Sequence, residues 1–146
     1  MKRSENISQL AASLAKAQGA VDNAVKNKKN PHFRSSYADL SAVLDVVRKP
    51  MAANGLCVVH DVNKDESSLV MTTTLLHESG EWLSVHARAT PKDGGPQAIG
   101  SIMTYLRRYT ISSLLSVSQQ DDDGNSAQGV ERQAQRRPAG RREMSK

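Results

Sequence analysis

Two arginines and two tyrosines crowd into the segment Tyr105–Tyr109 of this 146-residue chain. A guanidinium offers a permanent positive charge and a flat face, and a phenol offers a flat ring. Exposed side by side, they suit an unpaired polynucleotide, with cations for phosphates and rings for bases. The same residues also fit a solvated helix face with tyrosines half in the core. A second basic cluster lies upstream, where Lys26, Lys28, Lys29 and Arg34 share one short stretch with His32, Phe33 and Tyr37. It reads either as a contact for phosphates and bases or as a surface loop whose Phe33 tucks into the core.

Both clusters need elements to hold them. In Gln97–Leu115, the residues Ile99, Ile102, Met103 and Leu106 recur at i, i+3, i+4 and i+7, which predicts a helix with one apolar stripe. Neighbouring helical residues point about 100° apart, so Arg107 and Arg108 cannot both face the core. Upstream, Asp39 suits the cap of a helix whose core stripe is Leu40, Val43, Leu44, Val47 and Met51. Pro50 predicts a kinked or shortened end, and Asn54-Gly55 a stop. A first helix is expected over residues 5–25, with Ser4 as its cap and Gly19 as a weak point.

Three strands are expected between the second and third helices. They are Leu56–Val62, Ser67–His77 and Trp82–Thr90, with a polar turn at Asn63–Glu66 and a glycine hairpin turn at Glu78–Glu81. In the third, Leu83, Val85, Ala87 and Ala89 share one face, and Trp82, Ser84, His86 and Arg88 the other. Short connections predict an α+β fold, a three-stranded antiparallel meander with a packed helix, preceded by two helices. The face carrying Trp82, His86 and Arg88 needs a cover or a ligand. The PKDGGP run before the third helix reads as a plain turn or as backbone open to a phosphate.

Net charge is +5, with 38% hydrophobic and only 3% aromatic residues, so each tyrosine matters. Residues 128–146 carry six Arg or Lys against Glu131 and Glu143, leaving only +1 for residues 1–127. The reading is one domain over 1–127 and a basic, disordered tail over 128–146. Any basic site in the body must therefore be local. Cys57 is alone, which excludes an internal disulfide and a cysteine metal cluster, and its apolar run suggests a buried small side chain. The absence of a membrane span or signal-like core points to the cytoplasm.

Known catalytic motifs are absent: no GxxxxGK[ST], GxSxG or HExxH run occurs. His32, His60, His77 and His86 lie at no ligand spacing. A calcium-loop reading of Asp121-Asp122-Asp123 fails, because Ser126 and Arg132 fall where the turn glycine and the bidentate acid belong. Neither a cofactor nor catalysis is expected. The acidic triplet leaves a metal-dependent nuclease as an alternative, and the basic tail leaves a recombination adaptor.

Three blocks then add up. They are Asn30–Leu40 (NPHFRSSYADL), His77–Trp82 (HESGEW), and Gln97–Ser101 through Thr104–Tyr109, with Asp121–Gly124 after it. In order and spacing, over roughly residues 5–127, the sequence resembles the ERF (essential recombination function) family of phage-type single-strand annealing proteins. The resemblance implies binding to single-stranded DNA, homo-oligomeric rings or arcs, and annealing without ATP in a bacterial host cell. It also implies a β-β-β-α core similar to eukaryotic strand-annealing proteins. Partners would be a single-strand-binding protein and an exonuclease. Carried onto these residues, one groove wall is Lys26, Lys28, Lys29, Arg34 and Tyr37, and the other is Tyr105, Arg107 and Arg108.

Overall fold

The computed structural model describes residues 1–31 and 34–120. His32, Phe33, the acidic triplet, the tail and the expected domain boundary at 127 lie outside the described residues. In chain order the elements are β1 (Lys2–Arg3), α1 (Ser8–Ala20), β2 (Ala24–Val25), β3 (Lys28–Asn30), β4 (Ser35–Tyr37) and α2 (Leu40–Ala53). Then come β5 (Leu56–Asp65), β6 (Ser68–His77), β7 (Trp82–Ala89), α3 (Pro96–Leu115) and β8 (Gln119–Gln120).

The expected meander is present as β5-β6-β7, all antiparallel, and β1 adds a short fourth strand beside β7. Side-chain alternation sets its register. Leu56 lies opposite His77, Val58 opposite Leu75, and Leu75 opposite Leu83, so one face is lined by apolar residues. The helices close that face. The core they share includes Leu10 of α1, Val43 and Val47 of α2, Leu75 of β6, and Ile111 and Leu115 of α3, each essentially inaccessible to water. Each such side chain contributes on the order of 1.5–3 kcal/mol of burial.

Several boundaries differ from expectation. The first helix is shorter than 5–25, because Val21 leaves the helical region with ψ 126° and Ala24–Val25 pair as a strand with β8. Ser4 does not cap it. Its hydroxyl serves the Trp82 backbone, and Asn6 Oδ1 accepts from the Ser8 N–H instead. Pro50 does not shorten α2, which runs three residues further, to Ala53. Asn54 Nδ2 donates to the Pro50 carbonyl, giving the last turn a partner. The turn expected at Asn63–Glu66 tightens to Glu66-Ser67, with Glu66 in the left-handed region at φ 53°. Cys57 is exposed rather than buried: Leu56 takes the inward position, so its neighbour must point out. His77 and His86 stand on opposite faces of the sheet.

The β6–β7 turn is the joint between sheet and helices. Gly80 supplies φ 87°, and the turn is tied to the α2–β5 corner by a bond from the Glu78 N–H to the Gly55 carbonyl (3.0 Å). Gly55 suits that corner because its φ of 64° lies in the left-handed region. Glu81 is buried and its Oε2 accepts from the Leu10 N–H at 2.7 Å. Leu10 is the third residue of α1, so a carboxylate from a distant hairpin satisfies one of the helix's orphan donors and faces its positive end. The Ser79 N–H donates to His77 Nδ1 (3.1 Å), and His77 Nε2 meets Ser13 Oγ at 2.9 Å. HESGEW is thus explained as structure.

Glu81→Ala should lower stability by about 1–3 kcal/mol, because a buried donor loses its partner. Glu81→Gln, which keeps an acceptor, should recover part of that loss. Urea unfolding of the three proteins measures both.

Candidate functional site

The site grows from the tripeptide that leads into α2. The Asn27 N–H donates to the Tyr37 carbonyl (3.1 Å), and the Ala38 N–H donates to Gln119 Oε1 (2.8 Å). The Asp39 N–H donates to Asn27 Oδ1 (3.0 Å), and Arg108 Nη1 donates to the Ala38 carbonyl (3.0 Å). Three segments distant in sequence therefore fix the backbone that carries Tyr37. Asp39 caps α2 by accepting from the Ala42 N–H at 2.9 Å. That bond, with the Asn27 side chain, holds its carboxyl below the ordinary 3.8 and keeps it anionic.

Arg108 comes from α3 to meet this segment. Its Cζ lies 4.5 Å from the Tyr37 ring centroid, 5.5 Å from that of Tyr109 and 5.8 Å from that of Tyr105. All three tyrosines of the chain thus surround one guanidinium. Each cation–π contact at a partly exposed site is worth about 0.5–1 kcal/mol. Tyr105 and Tyr109, one helical turn apart, have centroids 4.4 Å apart with planes at 37°. They remain 44% and 53% exposed, so the fold leaves their rings available. A hydrogen bond with Tyr109, together with partial burial, pushes the Tyr105 phenol up, so it stays neutral.

A groove of about 660 Å³ runs between the start of α2 and the outer face of α3, with Tyr37, Asp39, Gly100, Tyr105 and Arg108 on its walls. A second depression, about 650 Å³, continues past Gln97 and Ser101 to Lys92 and Gly95 at the beginning of α3. The β3–β4 hairpin carries the upstream cations. Lys28 pairs opposite Tyr37 and Lys29 opposite Ser36. Lys29 and Arg34 border a separate depression of about 580 Å³ at the hairpin tip. Arg34 is left-handed at φ 49°, a position that glycine would hold at less cost. Lys26 lies just after β2, on the way into this hairpin.

Tyr37, Tyr105 and Arg108 are therefore brought together, with Lys28 on the adjoining strand pair. Arg107 is not. It turns toward the sheet, where it is half-buried, and its Nε has no hydrogen-bond partner. There it faces His60, whose Nδ1 meets Thr73 Oγ1 at 2.8 Å. Thr73 Oγ1 in turn donates to Thr110 Oγ1 (2.7 Å), so Nδ1 of His60 carries the proton. Burial first, and the Arg107 charge second, hold the His60 ring below its ordinary 6.5.

Reading the sequence overlooked the rest of the groove. Gln97, Gly100, Ser101 and Thr104 line it, and with Tyr105 and Arg108 they recur at i, i+3, i+4, i+7, i+8 and i+11. That is a second stripe on α3, small and polar, opposite the apolar one. That spacing places all six residues on one helix face. Among the described residues no group of three or more His, Cys, Asp or Glu could hold a metal ion. No helix among them is long and apolar enough to cross a membrane.

One family model, described as the ERF superfamily, matches residues 10–145. It starts inside α1 and runs past the last of the three sequence blocks. No curated protein and no solved structure matches the chain.

The neutral form of His60 is favoured by folding, so its contribution is complete above pH 6.5 and is lost as pH falls below that value. Urea midpoints should therefore drop between about pH 7 and pH 5. His60→Asn, which does not titrate, should show a smaller drop.

Proposed function

The chain belongs to the ERF superfamily, and from that premise we propose that it binds single-stranded DNA and anneals complementary strands without ATP during recombination of phage or prophage DNA. The observation that carries this reading is the Arg108 cluster: one cation held among three rings, two of them about half exposed, on the wall of an open groove. Annealing makes and breaks no covalent bond. It requires phosphate charge to be neutralised and bases to be held apart from one another but open to a second strand. Rings and a guanidinium supply base stacking worth on the order of 1–3 kcal/mol per base. Lys28, Lys29 and Arg34 on the adjoining hairpin, with Lys26 leading into it, supply phosphate contacts.

Arg107 joins this site only indirectly, since its guanidinium faces His60. Arg34 is better explained by function than by fold. A residue in the left-handed region without being glycine costs about 1–2 kcal/mol, and a positive side chain at the hairpin tip is a reason to bear it.

A body charge of only +1 makes each protomer a weak binder. Self-association into rings or arcs places many such grooves along one strand and multiplies their affinity. The uncovered sheet face, with Cys57 and Val59 exposed and Trp82 half-buried, is the surface proposed for that contact. A single-strand-binding protein and an exonuclease are the proposed partners, and the basic residues after 128 are proposed as a tail outside the annealing domain.

Fluorescence anisotropy with a labelled oligo-dT across a salt series tests this reading. Tyr105→Ala should weaken binding about 5- to 150-fold with little change in the salt slope, because stacking is lost and charge is not. Lys28→Ala with Lys29→Ala should flatten the log–log slope by about 0.7 per phosphate contact. Wild-type affinity that ignores salt, or annealing of complementary strands that requires ATP, would refute the reading.

A further inference from the structure

Helix α3 has a glycine at its fifth residue, Gly100, well inside a 20-residue helix. Glycine there weakens the helix relative to alanine, because it gives up more backbone freedom and exposes the backbone to water. The fold supplies no compensating need. Gly100 is not among the residues with positive φ, and a Cβ built on it would meet nothing within 4 Å. Gly55 shows the contrast, since its φ of 64° strains any substituent. What Gly100 provides is the empty space itself.

That space opens into the groove beside Tyr105 and Arg108, with Tyr37 on the facing wall. The neighbouring hydroxyls are folded back onto the helix: Thr104 Oγ1 donates to the Gly100 carbonyl (3.0 Å) and Ser101 Oγ to the Gln97 carbonyl (2.9 Å). They therefore leave the floor low. Gln97, one turn before Gly100, makes no side-chain hydrogen bond among the described residues, so its amide offers both a donor and an acceptor at the rim.

We propose that Gly100 is the floor of a seat for one unpaired nucleobase, stacked beside Tyr105, with the Gln97 amide placed to bond the base edge. The seat rests on the single-stranded DNA reading and adds to it the part of the nucleotide that enters the groove: the base, with the sugar–phosphate left toward Arg108 and the hairpin. A groove of about 660 Å³ falls within the ~300–1,000 Å³ that sites for small organic groups occupy.

The experiment compares the full-length chain with Gly100→Ala and Gly100→Leu, each measured for Tm and for binding to oligo-dT and to an abasic strand of equal length. Gly100→Ala should raise Tm by a few degrees, because the added methyl meets no atom and stiffens the unfolded chain. Gly100→Leu should weaken oligo-dT binding by about five-fold or more while leaving the abasic strand unaffected. Should the leucine variant fail to fold, Gly100→Ala carries the same comparison, with a smaller loss on oligo-dT. Unchanged oligo-dT binding in the folded variants overturns the seat. An equal loss on both strands also overturns it, since the groove then holds backbone. A wild-type chain that binds neither strand refutes the parent reading, whereas the seat alone fails if wild type binds and the variants match it.

Discussion

A guanidinium needs acceptors for its N–H groups and something flat against its face, and Arg108 finds both outside its own helix. Its acceptor is the Ala38 carbonyl, and the ring nearest to it is that of Tyr37. Both belong to the segment that starts α2. One side chain thereby fixes α3 against the entrance of another helix and gathers the chain's three tyrosines. The residue that organises the groove is also the cation on its wall.

The remainder of the fold keeps that contact in place. Strand register puts Met71, Thr73 and Leu75 under the helices, and Thr73 is linked through Thr110 to the backbone of α3 at Leu106. A buried hydroxyl pair of this kind fixes helix rotation more sharply than apolar contacts do, because its bonds are directional. With the rotation set, Arg107 must face the sheet and Arg108 the groove. At the opposite end, Glu81 holds α1 through the Leu10 N–H, and α1 completes the core on which α2 rests. Gln119 then reaches back from beyond α3 to the Ala38 N–H, closing the loop of contacts.

Periodicity in the sequence was enough to read β5, β6 and β7, α2 with its Asp39 cap, and α3, because each pattern matches one buried face. It misjudged places where a single tertiary bond decides. Ser4 looked like a cap, but its hydroxyl is claimed by Trp82; Pro50 suggested a kinked or shortened end, but α2 runs on to Ala53, where Asn54 bonds back to the Pro50 carbonyl. Cys57 followed its apolar neighbours only if strand phase was ignored. Residue type alone singled out Tyr37, Tyr105 and Arg108, which the fold brings together. It could not separate Arg107 from Arg108, since nothing local says which of two adjacent arginines meets the sheet. Gly100 and Gln97 were passed over because small and polar residues on a helix look like solvent-facing filler until the opposite wall is known.

Charge completes the account. Residues 1–120 carry 14 Lys or Arg against 10 Asp or Glu, and Asp121–Asp123 bring residues 1–127 down to +1, so the proposed affinity for a strand rests on local contacts that use rings as much as cations. The most direct measurement of that claim is photocrosslinking of the wild-type chain to an oligonucleotide carrying halogenated uracil, with the crosslinked peptides read by mass spectrometry. Crosslinks concentrated on Tyr37, Tyr105 and Tyr109 are expected. Crosslinks confined to Trp82 and its neighbours on the uncovered sheet face would contradict it.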